Sequence, residues 1–346
     1  MSARRRLKLN WRGCIGLIDD FDRWQREHSS VGFPVAVVYK FFDDQGSYLA
    51  ALITYYGFLS LFPLLLLLTS VLGFVLDGNV RLQQTILQST LSQLPIVGGP
   101  LREPRGLQGS GSAIVLGSVV ALYGALGVAQ ALQNAMNVAW AVPRHRRPNP
   151  LKARARRLLL VATAGSAVLV TTVLSAIGSS AGSFGTDVSW LVAILAIVAS
   201  TVTNVALFVI AFRVSMAHKL GTRDARPGAI VGAAVWQTLQ LSGTAYVAHF
   251  VKGAANSYGV FALVLGLLGW LFLAAEGIVF GAEVNVVRLR RLYPRALLTP
   301  FTDNVNLTDG DRRTYAAAAA AQRFKGFENV LVTFENDGQN ASVDGG

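Results

Sequence analysis

Two carboxylates stand in the last hydrophobic stretch of the chain, "WLFLAAEGIVFGAEVNVVRLRRLYP", which runs from Trp270 to Pro294. Glu276 and Glu283 are seven residues apart, so on a helix their directions differ by only about 20°. If Arg288 marks the membrane edge, Glu283 lies about 7 Å deeper and Glu276 about 18 Å deeper. A charge at such depth costs on the order of 3 kcal/mol. We therefore expect this shared face to line a polar cavity or an interhelical seam.

Amide side chains recur at helical spacing in the other hydrophobic stretches and could extend such a cavity. They are Gln130, Asn134 and Asn137 in one stretch and Gln237 and Gln240 in another. The stretch with the two glutamates itself adds Asn285. Two interpretations stay open for them. Amides commonly join helices inside a membrane, with each hydrogen bond contributing about 0.6 kcal/mol. Together with Glu276 and Glu283, they could instead line a polar cavity. Such a cavity could serve a proton-transfer step or act as a gate.

Two clusters of arginine could bind phosphate. The first comprises Arg144, Arg146, Arg147, Arg154 and Arg156, and the second comprises Arg288, Arg290 and Arg291. Basic clusters beside membrane-spanning segments face anionic lipid head groups and can bind them. They also set the orientation of a membrane protein without binding anything. The sequence predicts anionic-lipid contacts at these eight residues, with a pure topology role as the alternative.

Motifs for catalysis or metal binding are not found. The four histidines are scattered, and the sequence contains no H-x-x-x-H pair and no glycine-rich phosphate loop. The single cysteine, Cys14, excludes a C-x-x-C motif and an intrachain disulfide. We expect no enzyme activity, no catalytic residue, no metal and no cofactor.

Composition indicates which elements position these residues. Hydrophobic residues make up 52% of the 346 and charged residues only 14%, whereas soluble domains contain about a quarter charged residues. Six runs contain no Asp, Glu, Lys or Arg, and each exceeds the roughly 20 residues that a helix needs to cross a bilayer. These runs are Gln45–Leu76, Gly106–Pro143, Leu158–Thr186, Val188–Phe212, Pro227–Val251 and Gly253–Ala275. The predicted fold is an all-α integral membrane protein, a bundle of six transmembrane helices.

The distribution of basic residues predicts the orientation. Of the 31 Lys and Arg residues, 27 lie in alternate segments between the six runs, and these segments include both termini. Because Lys and Arg concentrate in cytoplasmic loops, both termini should be cytoplasmic. A pI near 10.3 could also indicate nucleic-acid binding. We disfavour that partner because the basic residues lie where membrane topology requires them.

The chain divides into three predicted parts. Residues 1–47 alternate apolar and charged groups and should form an amphipathic cytoplasmic segment, which either lies on the membrane interface or packs against the helix bundle. Residues 48–287 form the six-helix transmembrane domain. Residues 288–346 form a cytoplasmic tail, in which "DGDRRTYAAAAAAQRFKGF" is expected to contain a helix and the final residues are expected to be disordered.

Three stretches resemble the YihY/BrkB family of bacterial inner-membrane proteins, and most closely its YhjD-like branch. They are "YLAALITYYGFLSLFPLLLLL" (48–68), "MNVAWAVPRHRRP" (136–148) and "YGVFALVLGLLGWLFLAAEGIVFGAEVN" (258–285). With the six runs, the resemblance covers roughly residues 40–290. The family pattern falls on Tyr55, Tyr56, Ser60, Pro63, Asn137, Trp140, Pro143, Tyr258, Gly259, Trp270, Gly281, Glu283 and Asn285.

The resemblance implies a plasma-membrane location and a role in moving envelope lipids or other amphiphiles. The first functional hypothesis is therefore a transporter or export helper for such lipids, acting with envelope-export partners. The alternative is a scaffold or assembly factor of the cell envelope that transports nothing. Some family members have carried the name ribonuclease BN. We reject nuclease activity for this chain because its sequence has no cluster of metal ligands and no soluble catalytic domain.

Overall fold

The computed structural model describes residues 20–75, 111–179, 186–217, 220–246, 260–302 and 305–334. Within these ranges every regular element is helical, which confirms the all-α class. Residues 20–27 are helical and Arg144–Arg146 form a short 3-10 helix. The other helices are α1 (Ser29–Asp43), α2 (Gly46–Val75), α3 (Gly111–Ala139), α4 (Pro150–Ser179), α5 (Thr186–Ser215), α6 (Thr222–Tyr246), α7 (Val260–Arg290) and α8 (Asp309–Ala321).

Helices α2 to α7 fall on the six predicted hydrophobic runs. Among the described residues, three segments are long and apolar enough to cross a membrane: Gly117–Ala139 in α3, Val198–Ser215 in α5 and Val264–Arg290 in α7. The apolar character that the composition predicts is thus present in helices of sufficient length. The count of six spans stays a prediction.

The chain forms two compact units. The larger unit comprises residues 41–142 and 146–285. The smaller unit contains, among the described residues, 20–40, 143–145, 286–302 and 305–334. The predicted division into three parts at 48 and 288 stays a prediction. Residues 1–19 of the predicted interfacial segment and the predicted disordered end, 335–346, lie outside the described residues.

Small side chains allow close helix packing in the larger unit. One core cluster joins Ala50 and Ile53 of α2 to alanines of α3 and to Ala275 and Val279 of α7. A Cβ atom on Gly127 of α3 would lie only 2.2 Å from the Tyr56 ring of α2. Helices α2 and α3 therefore approach closely at this glycine, as small residues permit in membrane bundles.

The smaller unit is held together by a buried polar network. The guanidinium of Arg295 donates to the Asp311 carboxylate, and both side chains are 0% exposed. Asp311 also takes part in a capping box with Thr308 at the start of α8. Gln25 Nε2 donates to the Arg295 carbonyl oxygen at 2.6 Å. The tail therefore contains the expected helix, and this helix packs onto the segment that follows α7.

Candidate functional site

A cleft of about 290 Å³ lies in the larger unit, between α2, α3, the loop after α3 and the start of α4. Helix α3 supplies the three predicted amides, Gln130, Asn134 and Asn137, together with Gln133. The loop and α4 supply Arg147 and Arg157. The cleft thus combines two features that the sequence suggested separately, the amide face of one hydrophobic run and the basic segment that follows it.

Helix α4 is joined to α3 at the cleft by side-chain hydrogen bonds. Arg157 Nη1 donates to Gln130 Oε1 at 2.7 Å, and its Nε donates to Gln133 Oε1 at 3.3 Å. Gln133 Nε2 in turn donates to the Ala153 carbonyl oxygen at 3.4 Å. The two glutamine oxygens therefore hold the guanidinium at the cleft wall, and as neutral amides they do not neutralise its positive charge.

Asn137 presents an unsatisfied acceptor at the cleft. Its Oδ1 atom is buried and has no hydrogen-bond partner among the described residues. A buried polar oxygen without a donor is costly, by roughly 1–3 kcal/mol. A hydroxyl or ammonium group of a bound molecule, or a water, would remove this cost.

The cleft has positive charge and an apolar wall. Arg147 and Arg157 are its charged lining groups, and none of the described residues that line it is acidic. Leu52 and Tyr56 of α2 form the apolar side. Guanidinium groups pair well with phosphate and carboxylate, because their planar donors match two oxygens at once. The arrangement suits an anionic amphiphile whose head group binds the two arginines and whose apolar part lies beside α2.

The two glutamates of α7 lie apart from this cleft's lining. Glu276 is half-buried and its Oε1 accepts a 3.0 Å hydrogen bond from Ser47 Oγ of α2. Glu283 is 0% exposed. Glu276 of α7 is therefore linked to the start of α2 by this hydrogen bond. A role in transport for either carboxylate stays a prediction.

Asn285 joins α6 to α7. Its Oδ1 accepts from the Gly228 backbone N–H at 2.7 Å, and its Nδ2 donates to the Ala225 carbonyl oxygen at 3.2 Å. These bonds flank Pro227, which lies inside α6 and has no N–H to donate. The helices touch through their backbones there, because a Cβ on Gly228 would lie 1.9 Å from the Gly281 carbonyl oxygen. Asn285 thus acts as an interhelical link.

The other predicted amides, Gln237 and Gln240, are half-buried on α6. They do not belong to the lining of the cleft. The structure therefore brings together the amides of α3 but leaves those of α6 outside this site.

The predicted arginines separate into distinct environments. Arg147 lines the cleft, while Arg156 Nη1 donates to the Met216 carbonyl oxygen at 2.6 Å beside the end of α5. Arg144 lies over the Phe324 ring at 4.4 Å in the smaller unit. The others are exposed: Arg146 and Arg154 in the larger unit, and Arg288, Arg290 and Arg291 at the end of α7. Arg156 therefore has a structural role beside α5, and anionic-lipid contact by this set of arginines stays a prediction.

Two cleft residues are absent from the predicted site. Arg157 ends the predicted basic cluster but is not among its five predicted lipid contacts, and Gln133 lies between two predicted amides. The i, i+3, i+4, i+7 spacing of Gln130, Gln133, Asn134 and Asn137 was the available signal, because these positions share one helix face. Among the described residues, no group of three His, Cys, Asp or Glu side chains could bind a metal ion.

Comparison with known proteins gives one positive result. Residues 37–303 match the family model described as "Virulence factor BrkB". This match covers more than half of the chain and includes all the residues of the cleft. No curated protein and no solved structure matches the chain.

Proposed function

The chain belongs to the BrkB family, and on that premise we propose that this membrane protein moves envelope lipids or other amphiphiles, or helps to export them. In this proposal it resides in the bacterial plasma membrane with six spans and both termini in the cytoplasm. The proposal also assigns it to the YhjD-like branch, which its sequence motifs resemble most. It acts without catalysing a reaction, and membrane lipids and envelope-export proteins are its partners.

The observation that carries the proposal is the cleft between α2, α3 and α4. It joins two arginines, four amides and an apolar wall in one site of about 290 Å³. An amphiphile has the matching parts, a polar or charged head and an apolar tail. Gln130 and Gln133 hold the Arg157 guanidinium in place, so little side-chain entropy is lost when it binds a head group.

A second candidate function is a scaffold for envelope machinery. The smaller unit favours it, because this unit folds around a fully buried Arg295–Asp311 pair and extends beyond residue 303, where the family match ends. A buried ion pair can fix one conformation, as a docking surface requires.

A translocation assay with the purified full chain in proteoliposomes distinguishes the two functions. Fluorescent phosphatidylglycerol is placed in one leaflet, and its appearance in the other is followed with a membrane-impermeant reducing agent. We expect faster translocation than in protein-free liposomes, and slower translocation with Arg157→Gln. A rate equal to that of protein-free liposomes, with and without a membrane potential or pH gradient, would favour the scaffold.

A further inference from the structure

A compact loop of exposed aromatic and basic residues, 323–331, follows α8 in the smaller unit. The loop closes on itself: the Phe324 N–H donates to Glu328 Oε2 at 2.7 Å, and Arg323 Nη2 donates to the Gly326 carbonyl oxygen at 3.1 Å. The Glu328 N–H donates to the Lys325 carbonyl oxygen at 3.3 Å. These bonds give the loop a defined shape.

This loop directs large apolar side chains outward. Phe327 is 85% exposed and Leu331 is 90% exposed, while Phe324 and Val330 are also exposed. Single exposed apolar residues are common on protein surfaces, but a cluster of them marks an interaction site. The apolar residues of 323–331 therefore require an apolar or interfacial partner.

The position of the loop along the chain identifies this partner. Phe324 lies under the guanidinium of Arg144, at 4.4 Å. Arg144 comes only five residues after Ala139, where a segment able to cross the membrane ends. Five residues reach at most about 18 Å, and the head-group layer on each side of a bilayer is roughly 5–8 Å thick. The loop therefore lies within reach of the lipid head groups.

Charge adds a preference for anionic lipid. Lys325 and Arg144 are exposed cations, and Arg144 lies over the Phe324 ring. The carboxylate of Glu328 accepts a hydrogen bond from the backbone N–H of Phe324 inside the loop. Aromatic and basic side chains in this combination bind at the boundary between head groups and acyl chains.

We propose that loop 323–331 is a membrane-interface anchor that inserts Phe327 and Leu331 into an anionic leaflet of the bilayer, with Lys325 and Arg144 at the phosphates. The loop lies beyond residue 303, so it belongs to the part of the chain outside the family match. The proposal does not depend on lipid transport, since an anchor would serve a transporter and a scaffold alike.

Fluorescence quenching in nanodiscs tests the anchor with the full chain. In a Cys14→Ser background, Phe327→Cys or Leu331→Cys carries an environment-sensitive fluorophore. The nanodiscs contain phosphatidylcholine, with or without phosphatidylglycerol, and some lipids carry a nitroxide on the acyl chain. We expect nitroxide to quench both positions severalfold more than a control, Gln322→Cys, and more strongly with phosphatidylglycerol. Lys325→Glu should reduce this effect of the anionic lipid.

Two results would overturn the anchor. In the first, aqueous iodide quenches position 327 as readily as position 322 in anionic nanodiscs. In the second, protection of position 327 persists in detergent and increases with protein concentration, which would mean that a second copy covers the loop. The rate of trypsin cleavage after Lys325, measured on the unmodified chain, is an independent test of the anchor. It should be slower in anionic than in neutral nanodiscs, and equal rates would also contradict the proposal.

Discussion

Arg157 of α4 donates a 2.7 Å hydrogen bond to Gln130 of α3, and this bond holds a cationic group at the wall of a cleft. Gln130 lies in Gly117–Ala139, which is long and apolar enough to cross a membrane, and Arg157 lies near the start of α4. A positive charge that is fixed by neutral amides keeps its capacity to bind an anion, since the amides do not neutralise it. The same hydrogen bond therefore joins α3 to α4 and positions the cation that is proposed to bind a head group.

The contact between α6 and α7 should tolerate no added side chain. Gly228→Ala would place a Cβ 1.9 Å from the Gly281 carbonyl oxygen and 2.5 Å from Asn285 Nδ2. We expect a loss of about 1–3 kcal/mol in stability from this overpacking. Thermal unfolding in detergent measures it, with Gly117→Ala as control because its added Cβ would meet no atom within 4 Å. Equal melting temperatures for the two variants would contradict this expectation, because they would mean that α6 and α7 move apart at little cost to make room for the added methyl group.

The carboxylate of Glu276 can be tested for a role in transport. Glu276→Gln preserves the shape and can still accept the hydrogen bond from Ser47, but it cannot ionise. If a proton step uses this group, the variant should insert normally yet lose lipid translocation. If Glu276 only joins α2 to α7, the Gln variant should be active, whereas Glu276→Leu should reduce expression. A fully active Gln variant would exclude proton coupling through this residue.

The buried pair in the smaller unit should be strongly coupled. Arg295→Met leaves the Asp311 carboxylate without its cation at a site that is 0% exposed, and such losses cost about 3–5 kcal/mol. We expect the region after α7 to become sensitive to protease while the larger unit stays folded. The double variant Arg295→Met with Asp311→Leu should recover part of the loss, because it removes the unpaired charge. A single variant as resistant as the parent chain would contradict this account of the smaller unit.

The orientation can be measured by cysteine labelling in intact cells. In a Cys14→Ser background, single cysteines near Gly98 and Gly182 should react with an impermeant maleimide from outside. A cysteine at His145 should react only after the membrane is opened. Gly98 and Gly182 lie outside the described residues, so this prediction depends on the distribution of basic residues alone. The reverse pattern would overturn the proposed topology.

Local sequence patterns predict the helices and part of the site. Uncharged runs identify α2 to α7, and helical spacing places Gln130, Asn134 and Asn137 on one face. Periodicity describes one helix at a time, however, and it cannot identify the neighbour that faces it. The contact of Arg157 with Gln130 and that of Glu276 with Ser47 depend on such neighbours.

The smaller unit shows the same limit on a larger scale. It assembles described residues from three distant parts of the chain, namely 20–40, 143–145 and the region after 285, of which 286–302 and 305–334 are described. From the sequence alone, the residues after 300 are interpreted as polar, with one expected helix. The order of this unit comes from long-range contacts such as that of Gln25 with the Arg295 carbonyl oxygen, and no local pattern predicts these.

Lipid binding by the cleft is the central claim, and native mass spectrometry of the purified chain tests it most directly. Arg147→Gln with Arg157→Gln removes both cations of the cleft, and Arg146→Gln with Arg154→Gln removes two exposed arginines that do not line it. Each charge-assisted hydrogen bond contributes about 1.5–3 kcal/mol, so the first variant should bind phosphatidylglycerol at least about tenfold more weakly. The second variant should lose less binding than the first, because its exposed arginines could contact lipid only at the protein surface and not in the cleft. Equal phosphatidylglycerol binding by the two variants would contradict a head-group site at this cleft.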